Sequence, residues 1–422
     1  MTTVVFYDDA RARSFEPFAS IRPLAEMRAG TALVRERWAA ILPPHEDTWF
    51  ITGDRLASFD EPGAARAATG VVPTGTIVVN ARFVPAVPAD RGRALQRSAA
   101  SSLWRANGRL AAIRLRSAVD VAAFADGTLT LDELFAGTGS ISDVEGWWHE
   151  EVWDFIRHLQ DQLLSDITRL ATTASVDTFE PPPPHAVVLG GHPVLIERAP
   201  GGDDGGAVVI EPHVVLDASA GPILIQRGTR VRAFTRIAGP CHIGRDVTVL
   251  GGDVTGCAIG DVTKVRGEIS TSIIIGHSNK GHDGFVGHSY LGRWVNLGAG
   301  TITSNLKNTY GTVSLWTPSG VRDTGMPFLG TMFGDHVKTG IGLRLTTGTV
   351  LGAGANVYGA MPPKAVAPFS WGDAPPYAAY RADKFVETAA RVMARRHVEL
   401  GPRAREHLMA AHAARWSVER HR

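Results

Sequence analysis

Two different periods of apolar residues divide the chain. Up to about residue 180, short apolar runs alternate with amphipathic stretches. TVVFY (Thr3 to Tyr7) reads as a short apolar strand, and TWFIT (Thr48 to Thr52), TIVVN (Thr76 to Asn80) and LAAIRL (Leu110 to Leu115) as further strands, each of these three preceded by Gly, Pro or Asp punctuation. TALVRERWAAIL (Thr31 to Leu42) carries Leu33, Trp38 and Leu42 on or near one helical face. EGWWHEEVWDFIRHLQDQLLSDITRL (Glu145 to Leu170) reads as one long amphipathic helix. Strands alternating with helices predict an α/β layered domain over residues 1–180.

Beyond that point the period becomes six. Ile225, Val231, Ile237, Ile243 and Val249 recur at that interval, Ile210 and Leu216 extend the series upstream, and Phe333, Thr339, Leu345, Leu351 and Val357 resume it. Gly follows the aliphatic at Ile243, Ile259, Leu291 and Leu297. An aliphatic every sixth residue beside small residues predicts a parallel β-helix of hexapeptide repeats over 207–370. Each aliphatic stacks on its copy one coil away, and the small residues permit tight corners. An α-helical solenoid needs longer repeats and few Gly, so it is excluded. The period lapses between Ile275 and Leu291 and from Asn305 to Pro327, which predicts loops extruded from the coil. PPPP (Pro181 to Pro184) opens a stiff linker over 181–206 that includes the turn-rich APGGDDGG (Ala199 to Gly206). Two amphipathic helices within 371–422 are expected to cap the open end of the prism.

Composition narrows the function. A chain of 422 residues fits two domains and a tail. A net charge of +1 gives no general pull toward nucleic acid or anionic lipid. No window approaches the ~18 apolar residues of a membrane span, and Asp8 and Asp9 interrupt the only early apolar run. Cys241 and Cys257 both sit inside the repeat, so a cytoplasmic protein without a disulfide framework is expected. Of the 43 basic residues only six are lysines, all from Lys264 onward. An arginine-biased genome accounts for most of that imbalance, yet it excludes any lysine-dependent step in the first half. Two of the six, Lys280 and Lys307, stand in or beside SNKGHDGFVGHSYLGRWVNLGAGTITSNLKN (Ser278 to Asn308), a polar stretch inside an aliphatic repeat.

That stretch carries a family likeness. VNLGAGTITSN (Val295 to Asn305), with NKGH (Asn279 to His282) upstream, resembles the acetyltransferase domain of bacterial bifunctional N-acetylglucosamine-1-phosphate uridylyltransferase / glucosamine-1-phosphate N-acetyltransferase. The longer string and RPLAEMRAG…RERW near the N-terminus are similar to a divergent branch of sugar nucleotidyltransferases, over nearly the whole chain. The resemblance implies a nucleotidyltransferase-like α/β domain, then a left-handed parallel β-helix that assembles as a homotrimer with acetyl-CoA between neighbouring prisms. It implies His282 as the general base on a sugar amine, a role suited to imidazole because an ammonium cannot attack a thioester. It implies Asn296 and Asn305 as substrate contacts, and Gly298, Ala299 and Gly300 as the backbone that meets acetyl-CoA. Lys280, Lys307 and Arg266 are candidates for the sugar phosphate. The sequence departs from the family at Phe285, where a tyrosine is usual, and at Ser270, where a lysine is.

In the first half the family's Gly-rich phosphate loop is replaced by FYDDARARSFEPFASIRPLAEMRAG (Phe6 to Gly30). Arg11, Arg13 and Arg22 are the candidates for phosphate there, since guanidinium binds phosphate in bidentate fashion. Asp8 and Asp9 have two readings, as Mg²⁺ ligands for phosphoryl chemistry or as caps of the following turn. His277, His282 and His288 fit no standard zinc spacing and have an alternative reading as exposed loop residues. The expected function is a sugar-phosphate transferase of nucleotide-sugar synthesis, using a nucleoside triphosphate, a sugar phosphate and acetyl-CoA to reach a product of the UDP-N-acetylglucosamine type. The alternatives are a single-activity sugar-1-phosphate nucleotidyltransferase with a regulatory β-helix, and a non-catalytic trimeric scaffold.

Overall fold

A computed structural model of the protein describes residues 2–88, 90–135, 137–199, 206–359 and 361–416. Most of the turn-rich Ala199 to Gly206 stretch, and the end of the expected C-terminal helical region, lie outside the described residues. The chain divides into two compact units: Met1–Met27, Ala32–Asp154 and Gly401–Ala414 form the first, and Arg28–Thr31, Phe155–Leu400 and Arg415–Arg422 the second.

The first unit is built on a seven-stranded sheet. Its strands are β1 (Thr3–Tyr7), β2 (Asp47–Ile51), β3 (Arg66–Ala67), β4 (Ile77–Asn80), β5 (Leu103–Ala106), β6 (Arg109–Arg114) and β7 (Ile141–Asp143), in the order β7-β5-β6-β4-β1-β2-β3. β1 pairs in parallel with β2 and β4, whereas β6 runs antiparallel to β4 and β5. All four apolar runs read as strands lie in this sheet, and Val5, Tyr7, Ile51, Val78, Ile113 and Phe124 form its buried core. Short α1 (Val34–Ala39) sits where the Thr31 to Leu42 pattern placed a longer helix.

The expected helix from Glu145 begins later. Gly146–Trp148 is a strand antiparallel to Phe83–Pro85. Gly146 is required there, because its φ is +155° and a Cβ would lie 2.3 Å from the Val84 carbonyl. The Asp154 carboxylate then accepts the N–H groups of Glu150 and Glu151 at 2.8 and 2.9 Å, and the main helix, α2 (Leu159–Thr173), follows within the second unit. The two C-terminal helices also part company. α3 (Ala382–Ala394) packs on the second unit through Phe385, whose ring meets Phe369 at 4.9 Å. α4 (Pro402–Ala413) returns to the first unit instead of capping the prism. There His407 Nε2 lies 2.9 Å from the Ile21 carbonyl, and its ring meets Phe59 edge-on at 5.2 Å.

The second unit stacks short parallel strands coil upon coil, as in a β-helix. One ladder runs from Val194–Glu197 through Ile223–Ile225, Cys241–Ile243, Ala258–Ile259, Ile273–Ile274 and Tyr290–Leu291 to Thr331–Phe333, Thr349–Leu351 and Ala365–Val366. The six-spaced aliphatics Ile225 through Val249 are wholly buried in one continuous core. Two expectations shift. Val187–Gly190 and Val194–Glu197 already pair in parallel with Val215–Ala218 and Ile223–Ile225, so stacking starts inside the stretch read as a linker. Between Ile275 and Leu291 the chain stays in the coil, because Asn279–Lys280 pairs with Lys264–Val265 and Phe285–Gly287 with Glu268–Ser270. Only the second lapse leaves it, as a hairpin of Ser314–Thr317 and Gly320–Asp323.

Candidate active site on the coil

Strand register explains the odd lysine. Val249, Val265 and Lys280 occupy matching places on successive coils. Lys280 therefore points inward where an aliphatic is usual, and only 2% of it is exposed. Its Nζ donates to the Arg266 carbonyl at 2.9 Å and to the His282 carbonyl at 2.5 Å. Burial pushes this ammonium down to about 8, opposed by the Asp283 charge. A buried cation bonded to two carbonyls ties the 281–284 corner to the coil before it. Lys280 is thus a strut beneath the corner, with its charge turned away from solvent.

The His282 side chain is exposed at that corner. Asp283 beside it accepts Arg266 Nε at 3.0 Å, and Arg266 also donates to the Leu250 carbonyl at 2.8 Å. The next coil closes on the same corner: the Gly300 N–H donates to the Asp283 carbonyl at 3.0 Å, and Ala299 accepts the Gly342 N–H at 2.7 Å. Glycine is needed at Gly298, where a Cβ would lie 2.5 Å from the Gly340 carbonyl, and at Gly300, with φ +70°. The NKGH and GAG segments are consequently stacked corner on corner. Neither Asp283 nor Glu268 is hydrogen-bonded to the His282 ring among the described residues.

The two asparagines fall in different places. Asn296 accepts from Asn279 Nδ2 at 3.0 Å, one rung of a side-chain ladder. Asn305 donates to Nδ1 of His288 at 2.9 Å. His288 also stacks on Phe328 at 5.2 Å, and desolvation pushes its imidazole down to about 4. Gly287 leaves the space this cluster uses, since a Cβ there would stand 2.4 Å from the Phe285 ring and 2.7 Å from the Asn305 amide. Lys307 lies apart from the corner, near the charges of Asp323 and Lys364. A groove of about 670 Å³ includes Asp283 and Gly284 of the corner and is lined further by Asp253, Thr255, Glu268 and Ser270.

In the first unit the phosphate candidates are held by internal partners. Arg22 is buried and donates to both oxygens of Glu61, at 2.8 and 2.6 Å. Arg11 bonds Glu151 at 2.7 Å and the Glu150 carbonyl at 2.5 Å. Arg13 donates to the backbone carbonyls of Asp8 and Phe124, each at 2.8 Å, and of Ala125. Asp9 accepts Arg82 and Asn80, which together with the Ala12 N–H hold its carboxyl below the usual range despite burial. Burial pushes Asp8 up to about 7 against the Leu24 N–H that bonds it. Among the described residues no group of three His, Cys, Asp or Glu is placed to hold a metal ion. As they stand, Asp8 and Asp9 do not fit Mg²⁺: Asp9 is saturated by a guanidinium, and Asp8 is buried, bonded to the Leu24 N–H, with its carboxyl raised by burial. Arg82, which organises this cluster, was visible only as a basic residue two positions after TIVVN.

Residues 4–175 match the family model described as sugar nucleotidyl transferase. The "Bifunctional protein GlmU" of Rippkaea orientalis is 36% identical over 118 residues, 23% of this chain and 25% of that protein. The "Bifunctional sugar-1-phosphate nucleotidylyltransferase/acetyltransferase" of Sulfurisphaera tokodaii is 34% identical over 91 residues, 22% of this chain and 23% of its own length. The "Uncharacterized acetyltransferase YaiX" of Escherichia coli is 30% identical over 155 residues, 34% of this chain and 64% of that protein. The chain thus spans about a quarter of the length of the first two relatives. No helix among the described residues is long and apolar enough to cross a membrane.

Proposed function

We propose that the chain is a two-part transferase of nucleotide-sugar synthesis, in which the coil moves an acetyl group from acetyl-CoA to a sugar amine. His282 takes the amine proton, nitrogen attacks the thioester carbonyl to form the C–N bond, and the C–S bond breaks to release the CoA thiolate, which takes that proton back from the imidazolium. Gly298, Ala299 and Gly300 present backbone to the donor, Asn296 and Asn305 contact substrate, and left-handed prisms assemble as trimers around the site. The observation that supports this best is the 3.0 Å bond from the Gly300 N–H to the Asp283 carbonyl, which joins the backbone next to exposed His282 to the glycine corner. Acetyl-CoA with glucosamine-1-phosphate is expected to release free CoA, and His282→Ala to abolish the release. No CoA from the wild-type chain with any amino sugar phosphate refutes the reading.

The first unit is proposed to transfer a nucleotidyl group to a sugar-1-phosphate, as its family match supports. Pyrophosphate release from a nucleoside triphosphate and a sugar-1-phosphate, with divalent metal supplied, tests it. A second reading, a non-catalytic scaffold, is favoured by the engagement of Arg11, Arg13 and Arg22 with internal partners. It predicts that neither product forms.

A further inference from the structure

Where α3 ends, Val392, Arg395 and Arg396 meet an outward-facing ladder of the coil. Lys264, Asn279, Asn296 and Lys338 are its successive rungs. Together with His277 and Trp294 they enclose a cavity of about 280 Å³. Lys264, Lys338, Arg395 and Arg396 line this cavity, and no Asp or Glu does. Among the described residues these four cations make no ion pair. Among the described residues Lys338 Nζ reaches only the His336 carbonyl, at a long 3.4 Å, and the Asn296 amide nitrogen has no partner. Burial holds Lys338 down at about 8, and Arg396 is lowered by burial and by the neighbouring Arg395 charge.

Two arginines at a helix C-terminus have an ordinary reason to be there, since the carbonyl end attracts cations. That reason does not extend to Lys264 and Lys338, which come from separate coils and are two of only six lysines. Like charges gathered around a partly dehydrated space raise the energy of the empty site, and an anion lowers it. Trp294, held at φ +66° with its ring 4.5 Å from His277, supplies a flat wall. The volume suits a phosphate or diphosphate with at most one ring.

We infer that this cavity binds the phosphoryl group of a small phosphate-bearing molecule, with Lys264, Lys338, Arg395 and Arg396 as its counter-ions and the Asn296 amide as a neutral donor. The cavity shares Asn296 with the proposed acyl-transfer site, but the inference is read by binding alone and stands whether or not acyl or nucleotidyl transfer is found. The test is calorimetric titration of the full chain at low salt with pyrophosphate and with a nucleoside diphosphate. Lys338→Gln and Arg395→Gln are expected to weaken binding by about tenfold each. Arg91→Gln, on the exposed helix Arg91–Ala99 of the first unit, is expected to leave it unchanged. Tighter binding of the nucleotide identifies it as the source of the phosphoryl group, equal binding a free diphosphate, and both support the site. No heat at millimolar ligand, or equal affinity in wild type and both variants with unchanged melting temperatures, overturns it. Loss in Arg395→Gln alone also overturns it, because a bare helix end then explains the binding.

Discussion

The side-chain amide of Asn305 donates to Nδ1 of His288 at 2.9 Å, and this bond fixes the proton of the neutral ring on Nε2. Protonation would set an N–H against the amide donor inside a desolvated cluster. With the folded value near 4 and the unfolded near 6.5, the unfolded chain binds more protons between them. Stability from this site is full above pH 6.5 and is lost as pH falls toward 4. His288→Gln is expected to flatten that part of a urea-midpoint profile against pH.

His282 is exposed and supports no core. His282→Ala should leave the melting temperature within a degree or so of wild type, while CoA release falls by about 10²–10⁴-fold, the usual reach of general-base catalysis. A large fall in melting temperature would make the residue structural.

Lys280→Met replaces the strut by an apolar side chain of similar length. Thermal stability should hold or rise, since a buried ammonium is replaced by a side chain the core accepts, while CoA release drops at least about tenfold because the corner loses its tether. The sign with pH is also defined: the folded ammonium titrates near 8 and the unfolded near 10.5, so wild-type stability rises across that window. The variant should lose part of the rise and keep the share due to Lys338.

Arg22 and Glu61 make a largely buried pair, so removing one partner alone is costly. Arg22→Ala is expected to lower unfolding free energy by about 3–5 kcal/mol, and the paired Arg22→Met with Glu61→Leu by far less. Equilibrium urea unfolding reads both.

Asp8 behaves oppositely to His288. Its folded value near 7 lies above the unfolded one near 3.8, so its contribution is greatest in acid and is lost as pH rises through 7. Asp8→Asn is expected to be more stable than wild type at pH 8 and to lose the slope between pH 4 and 7.

The sequence announced some of this clearly. Period-six burial from Ile225 to Val249 and the apolar runs around Val5, Val78 and Ile113 were legible because each apolar side chain repeats at its element's own period. Lys280 was legible as an anomaly but not as a strut. Its inward direction follows from pairing with Val265, and register between coils is not written locally. Glu145 to Trp148 read as helix because Trp and Glu suit either state, and the deciding partner, Phe83–Pro85, lies some 60 residues away. Arg11 and Arg22 read as phosphate ligands because nothing nearby in sequence shows Glu151 or Glu61 reaching them.

The return of α4 to the first unit has a practical consequence. The body begun by Thr3 is completed only when Pro402–Ala413 comes home, with His407 seated against Ile21 and Phe59. No single cut can release that body whole. A protease that clips the tail strips a piece from the far end of the chain's opening fold, and any dissection of the gene must carry both ends or fuse them.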